Sequence, residues 1–244
     1  MRRWRRRRPS AGDLEGLVNF RDLGGLPADG GIVRPGVLFR SDSLAYATPA
    51  DAERLVHNLG LSTVIDLRGE YEVERLGRGP LSRAGIGYYS APIADVSGAA
   101  DLVGHYVAML TEKGPVLACT VRHLTRPGTL PAVFHCEAGC DRTGVLAAVV
   151  LGLLGVPEDT IAADYAATAA AMPTIHERMA VVVDRLGLPP RPASLPVWEP
   201  EAALMIRTLE LVRERWGDMR GWAREYGLSA HELSALRADL VIAG

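Results

Sequence analysis

The stretch LPAVFHCEAGCDRTGVLAAVVLGLLG, residues 130–155, constrains the fold of this chain more than any other. An apolar run too short for a helix leads into a glycine-bearing loop, and a run apolar on almost every face leads out of it. The first reads as a strand and the second as a buried helix. A strand that delivers its chain straight into a buried helix needs a sheet beside it and further helices around it.

The rest of the chain supplies them. VNFRDLGGLPADGGIVRPGVLFRSD has short apolar runs broken by GG, DGG and RPG, which reads as turns between short strands. TPADAERLVHNLG reads as a helix with Thr48 as N-cap, Pro49 at the first helical position, Asp51 at the positive end and Gly60 closing it. LSTVIDLR and GIGYYSAPI follow as strands. Residues 101–124 read as mostly helical, interrupted near KGP, and VPEDTIAADYAATAA as another helix. LGLPPRPASLPVWEP cannot continue a helix and reads as a loop or lid hinge. Two C-terminal helices are expected, the last opened by Ser229 and Glu232 in capping-box spacing. Strands alternating with helices imply an α/β fold, with a mainly parallel central sheet covered on both faces. A single domain over residues 13–244 follows, after a basic tail at residues 1–12.

That tail, MRRWRRRRPS, holds six arginines. The remainder has 21 basic against 29 acidic residues, so nucleic acid is not expected as the main partner. The tail reads as disordered, as an over-extended start, or as an electrostatic contact with an anionic surface. No apolar segment follows it, so it is not a twin-arginine signal. The longest apolar stretch, Val145 to Val156, is well short of the ~20 residues of a membrane span. Three cysteines are too few, and odd in number, for a secreted disulfide scaffold. A cytoplasmic location is expected, with signal-less secretion left open. Lys113 is the only lysine, which reads as GC-rich codon usage and an actinobacterial source.

The loop itself carries chemistry. Gly139 permits tight curvature, so the backbone N–H groups of Glu137, Ala138, Gly139 and Cys140 can turn into one concavity suited to an anion. A helix beginning near Asp141 adds its free N–H groups and its positive end. Arg142 can grip two oxygens of a tetrahedral anion. The same field favours the thiolate of Cys136, so one segment builds both an anion cradle and a sulfur nucleophile. A metal site built from His135, Cys136 and Cys140 lacks a second Cys/His cluster, and no metal or cofactor is expected.

His135-Cys136, five residues, then Arg142-Thr143-Gly144 resembles the signature loop of the cysteine-dependent protein tyrosine phosphatases. NFRDLGG, RPGVLFRSDSL, TVIDLR, ADY and YGLSAHELSALRADL are similar, in order, to a bacterial branch with secreted mycobacterial members and phosphoinositide phosphatases. The resemblance spans roughly residues 17 to 240. It implies a phosphomonoester hydrolase acting on phosphotyrosine proteins through a phosphocysteine on Cys136. Arg142 would bind the phosphoryl oxygens, Asp141 would be the general acid, Thr143 would offer its hydroxyl to the sulfur, and His135 would orient the loop. Asp66 takes either a supporting or a purely structural role. VWEP at 197–200 is a near-miss to the separate acid loop of other branches.

Members of the branch that cleave phosphoinositides carry a lysine where this chain has Cys140, which shifts the expectation toward less charged substrates. A small-molecule phosphatase acting on a nucleotide or biosynthetic intermediate, and a phosphate-binding module with little turnover, remain the alternatives. Cys140 reads either as a small filler or as a thiol able to capture an oxidised Cys136. Cys119 reads as a buried small hydrophobe. Arg21, Asp22, Arg40 and Asp42 form either structural ion pairs or a substrate rim, and the remaining histidines lack ligand spacing.

Overall fold

Strand residues alternate between the two faces of a sheet, and here both faces are apolar. In the computed structural model, which describes residues 14–93, 96, 101–185 and 199–243, the central strands are β4 (Leu38–Ser41), β5 (Thr63–Asp66) and β7 (Ala132–His135), with every residue buried. Phe39, Val64 and Val133 point into one apolar cluster, together with Leu17, Phe20 and Leu55. Leu38, Ile65 and Phe134 point into the other, together with Leu117, Leu146 and Trp222.

β1 (Arg21–Asp22) pairs antiparallel with β4, and β6 (Gly87–Ser90) pairs parallel with β5. The order is β1-β4-β7-β5-β6, parallel except for the β1 edge. The expected mainly parallel sheet is therefore present, with β7 in the middle. A second, three-stranded antiparallel sheet joins β2 (Pro27–Ala28), β3 (Gly31–Val33) and β8 (Val241–Ile242). That sheet ties the C-terminal residues back to the N-terminal turns.

The helices are α1 (Pro49–Glu53), α2 (Glu70–Leu76), α3 (Leu102–Glu112), α4 (Gly114–Leu124) and α5 (Asp141–Leu153). They continue with α6 (Glu158–Ala166), α7 (Met172–Arg185), α8 (Ala202–Trp216), α9 (Met219–Glu225) and α10 (Ala230–Leu240). The expected capping box of Ser229 with Glu232 forms, and Thr48, expected as an N-cap, makes a second one with Asp51. The α3–α4 break falls at Lys113, just before Pro115.

Three readings change, and one element, α2, carried no expectation. The C-terminal region holds three helices, because Asp218 opens α9 by accepting the Gly221 N–H. The alanine-rich segment is helical only to Ala166, then forms a 3-10 turn at Ala167–Ala171. α2 has no apolar stripe and is set by local capping, in which Glu72 accepts the Gly69 N–H at 2.8 Å. Cys119 is exposed, because α4 turns Leu117, Ala118, Val121 and Leu124 to the core and leaves Cys119 on the outer side. The arginine tail and the proline-rich stretch at 186–198 lie outside the described residues.

Candidate active site

β7 ends at His135 and α5 starts at Asp141, so Cys136 to Cys140 form the short connection that the sequence predicts. Gly139 has φ +67°, and a Cβ there would sit 2.4 Å from the Ser41 carbonyl oxygen. Only glycine fits both the left-handed backbone and the contact with β4.

The loop carbonyls are tied to the scaffold. Glu137 O accepts the Ser43 N–H at 2.8 Å. Asn19 Nδ2 donates to Ala138 O at 3.0 Å and to Gly139 O at 3.1 Å. Arg40 Nη2 donates to Gly139 O at 2.8 Å, and Cys140 O accepts the Gly144 N–H at 2.7 Å. The N–H groups from Cys136 through Thr143 have no acceptor among the described residues. Carbonyls held outward and N–H groups left free make a concavity of partial positive charge, which is what a tetrahedral anion requires.

Cys136 is buried at the start of this loop. Thr143, in the first turn of α5, has a buried hydroxyl without a partner among the described residues, leaving it free to serve a neighbouring sulfur. Arg142 is held by Glu72: Nη1 to Oε2 at 2.5 Å and Nη2 to Oε1 at 2.8 Å. Two of its five N–H donors are used and three remain. Burial works against the Arg142 charge, yet Cys136 and then Glu72 outweigh it and hold the guanidinium pKa above its ordinary value. Burial also opposes ionised Glu72, but hydrogen bonds and charge from Arg142 win, and its carboxyl lies below the usual range.

Asp141 lies at the α5 N-terminus, and its Oδ1 accepts the Tyr106 hydroxyl at 2.5 Å. Asp66 is placed differently. It is fully buried, with Arg68 Nε at 3.0 Å from Oδ1 and Nη2 at 2.8 Å from Oδ2. Burial raises its pKa, but the Arg68 hydrogen bonds and the charges of His135 and Arg68 outweigh this, holding it below the usual range. A carboxylate so held does not carry a proton to donate. Asp66 reaches the loop indirectly, through His135, whose Nε2 is 3.5 Å away, and through Arg68, whose Nη1 lies 3.9 Å from Glu137 Oε2. His135 Nδ1 is 3.0 Å from Cys136 O, and burial pushes this histidine down to about 4 against the pull of Asp66. A cavity of about 100 Å³ lined by Asp66, Arg78, Tyr88 and His135 reaches the back of this layer, away from residues 136–142.

Arg21 and Arg40 are structural, but not with the neighbours that the sequence suggests. Both grip Asp164 of α6, at 2.7 and 2.5 Å. Asp42 accepts the N–H of Asn19 at 3.0 Å and faces Arg178 at 3.3 Å, while Asp22 accepts the N–H groups of Gly24 and Gly36. Sequence reasoning missed Glu72, Tyr106 and Asn19. The Gly69–Glu72 capping spacing is the one signal that could have drawn attention to Glu72. Among the described residues no group of three or more His, Cys, Asp or Glu could hold a metal ion.

The model of the tyrosine phosphatase family matches residues 12–242. The chain is 30% identical over 243 residues to a Cupriavidus necator protein provisionally named tyrosine-protein phosphatase, covering 89% of this chain and 87% of that one. It is 28% identical over 276 residues to the triple specificity protein phosphatase PtpB of Mycobacterium tuberculosis, covering 94% and 98%. The catalytic core of the PP-IP phosphatase Siw14 of S. cerevisiae aligns at 17% identity with a TM-score of 0.43, over 72% of this chain and 98% of that one. With a family model matched along nearly its whole length, this chain belongs to the tyrosine phosphatase family.

Proposed function

We propose that the chain hydrolyses phosphotyrosine in proteins through a phosphocysteine on Cys136, without a metal or cofactor, and that it works in the cytoplasm. The observation that carries the chemistry is the loop whose carbonyls face the scaffold while its N–H groups stay free around a buried cysteine. The phosphoryl group binds those N–H groups and the free donors of Arg142. The Cys136 sulfur attacks phosphorus, and the bond to the leaving phenolic oxygen breaks as that oxygen takes the proton of Asp141. Water then attacks the phosphocysteine, giving its proton to Asp141 and the electron pair of the S–P bond back to sulfur, where the Thr143 hydroxyl receives the charge. Inorganic phosphate leaves. Three free cysteines among the described residues support a reducing compartment, and no described helix is long and apolar enough to cross a membrane.

Cys136→Ser tests the chemistry, since a hydroxyl ionises far less readily than a thiol. Turnover of an aryl phosphate is expected to vanish while inorganic phosphate still binds, and vanadate is expected to inhibit the parent enzyme. Full activity in Cys136→Ser, or loss of activity on adding a chelator, would overturn it. Parallel assays on phosphotyrosine peptides, phosphoinositides and nucleotides test the substrate class. A preference for nucleotides by kcat/KM would replace the protein substrate with a small phosphomonoester.

A further inference from the structure

Asp141 is gripped from inside the protein by groups that no reaction step above uses. Tyr106 Oη lies 2.5 Å from Asp141 Oδ1 and 2.7 Å from Tyr165 Oη. Both tyrosines are fully buried, with their rings edge to face and centroids 5.9 Å apart. A Cβ at Gly144 would lie 2.8 Å from the Tyr165 ring, so the glycine after Thr143 is what lets this ring approach α5.

Counting protons gives the chain a direction. A phenol has one proton to donate. Tyr106 donates to Oδ1 of Asp141, so it must accept from Tyr165. Tyr165 has then used its proton. Burial is the main cause that pushes Tyr106 and Tyr165 upward, so both keep their protons at neutral pH and the order does not reverse. Asp141 Oδ2 has no donor among the described residues.

We propose that Tyr106, backed by Tyr165, is a positioning residue that commits Oδ1 of Asp141 to the protein and leaves Oδ2 as the oxygen carrying the transferable proton. The proposal rests on the reading of Asp141 as the general acid.

The test compares phenyl phosphate, a poor leaving group, with 4-nitrophenyl phosphate, a good one, by kcat/KM, which reports formation of the phosphocysteine. Loss of one hydrogen bond to a charged group predicts that Tyr106→Phe falls about tenfold on phenyl phosphate, with little change on the nitrophenyl ester. Inhibition by inorganic phosphate stays the same. Adding Tyr106→Phe to Asp141→Asn costs nothing further. Equal losses on both esters, or losses that multiply with Asp141→Asn, overturn the positioning role while leaving the acid in place. If Asp141→Asn itself treats both esters alike, the acid assignment fails, and the proposal with it. Tyr165→Phe reads the second link the same way should Tyr106→Phe not fold.

Discussion

On its inner side the loop from Cys136 to Cys140 is braced by Arg40 and Asp164, and on its outer side Arg142 meets Glu72. The chemistry and the distances match, with contacts of 2.5 Å in each pair. The surroundings do not. Arg40 has no exposed surface and Asp164 almost none, whereas the Arg142 and Glu72 side chains are 19% and 27% exposed. Inside, water cannot replace a lost partner, so the pair defines the loop's shape. Outside, water competes, so Glu72 can aim the guanidinium and still leave it donors for an incoming anion. The same ion pair is a brace in one place and an adjustable rest in the other.

Asp164→Ala should have the largest effect. It strands Arg21 and Arg40 without their carboxylate, and an uncompensated buried charge costs about 3–5 kcal/mol. Urea unfolding measures this, and a loss under about 1 kcal/mol would make the inner pair no different from a surface one.

The inner layer also predicts a pH effect. Folded His135 titrates near 4 and the unfolded residue near 6.5, so as pH falls the unfolded state takes up the proton first. Its contribution is fully present above pH 6.5 and is lost between there and pH 4, on the order of 2–3 kcal/mol. The stability difference between parent and His135→Gln should shrink across that window. Parallel curves would show that His135 is not held neutral by burial.

Glu72→Gln should move stability least, by under about 1 kcal/mol, yet kcat/KM should fall several-fold as Arg142 loses its rest. Large destabilisation with kcat/KM unchanged would reverse the contrast between the two sides.

How much of this was legible beforehand depends on sequence distance. Thr48 and Asp51, or Ser229 and Glu232, sit three residues apart and form their caps whatever lies around them. β7, the loop and α5 were equally plain, because apolar runs of contrasting length meet at a glycine, and Gly139 does adopt positive φ. Cys119 misled, since an apolar neighbourhood does not say which way a helix turns each residue.

The chain by itself thus determined the strand–loop–helix, the α/β alternation, and the placing of Cys136, Asp141 and Arg142 in one turn, because local sterics and periodicity act over a few residues. Tertiary structure alone decided which partners hold them. Glu72 reaches Arg142 across 70 residues, Tyr106 reaches Asp141 across 35, and Arg40 reaches Asp164 across 124. Those pairings exist only after the sheet has closed and water has left. Until then each of these side chains is one polar group among many, and nothing local marks it as a partner.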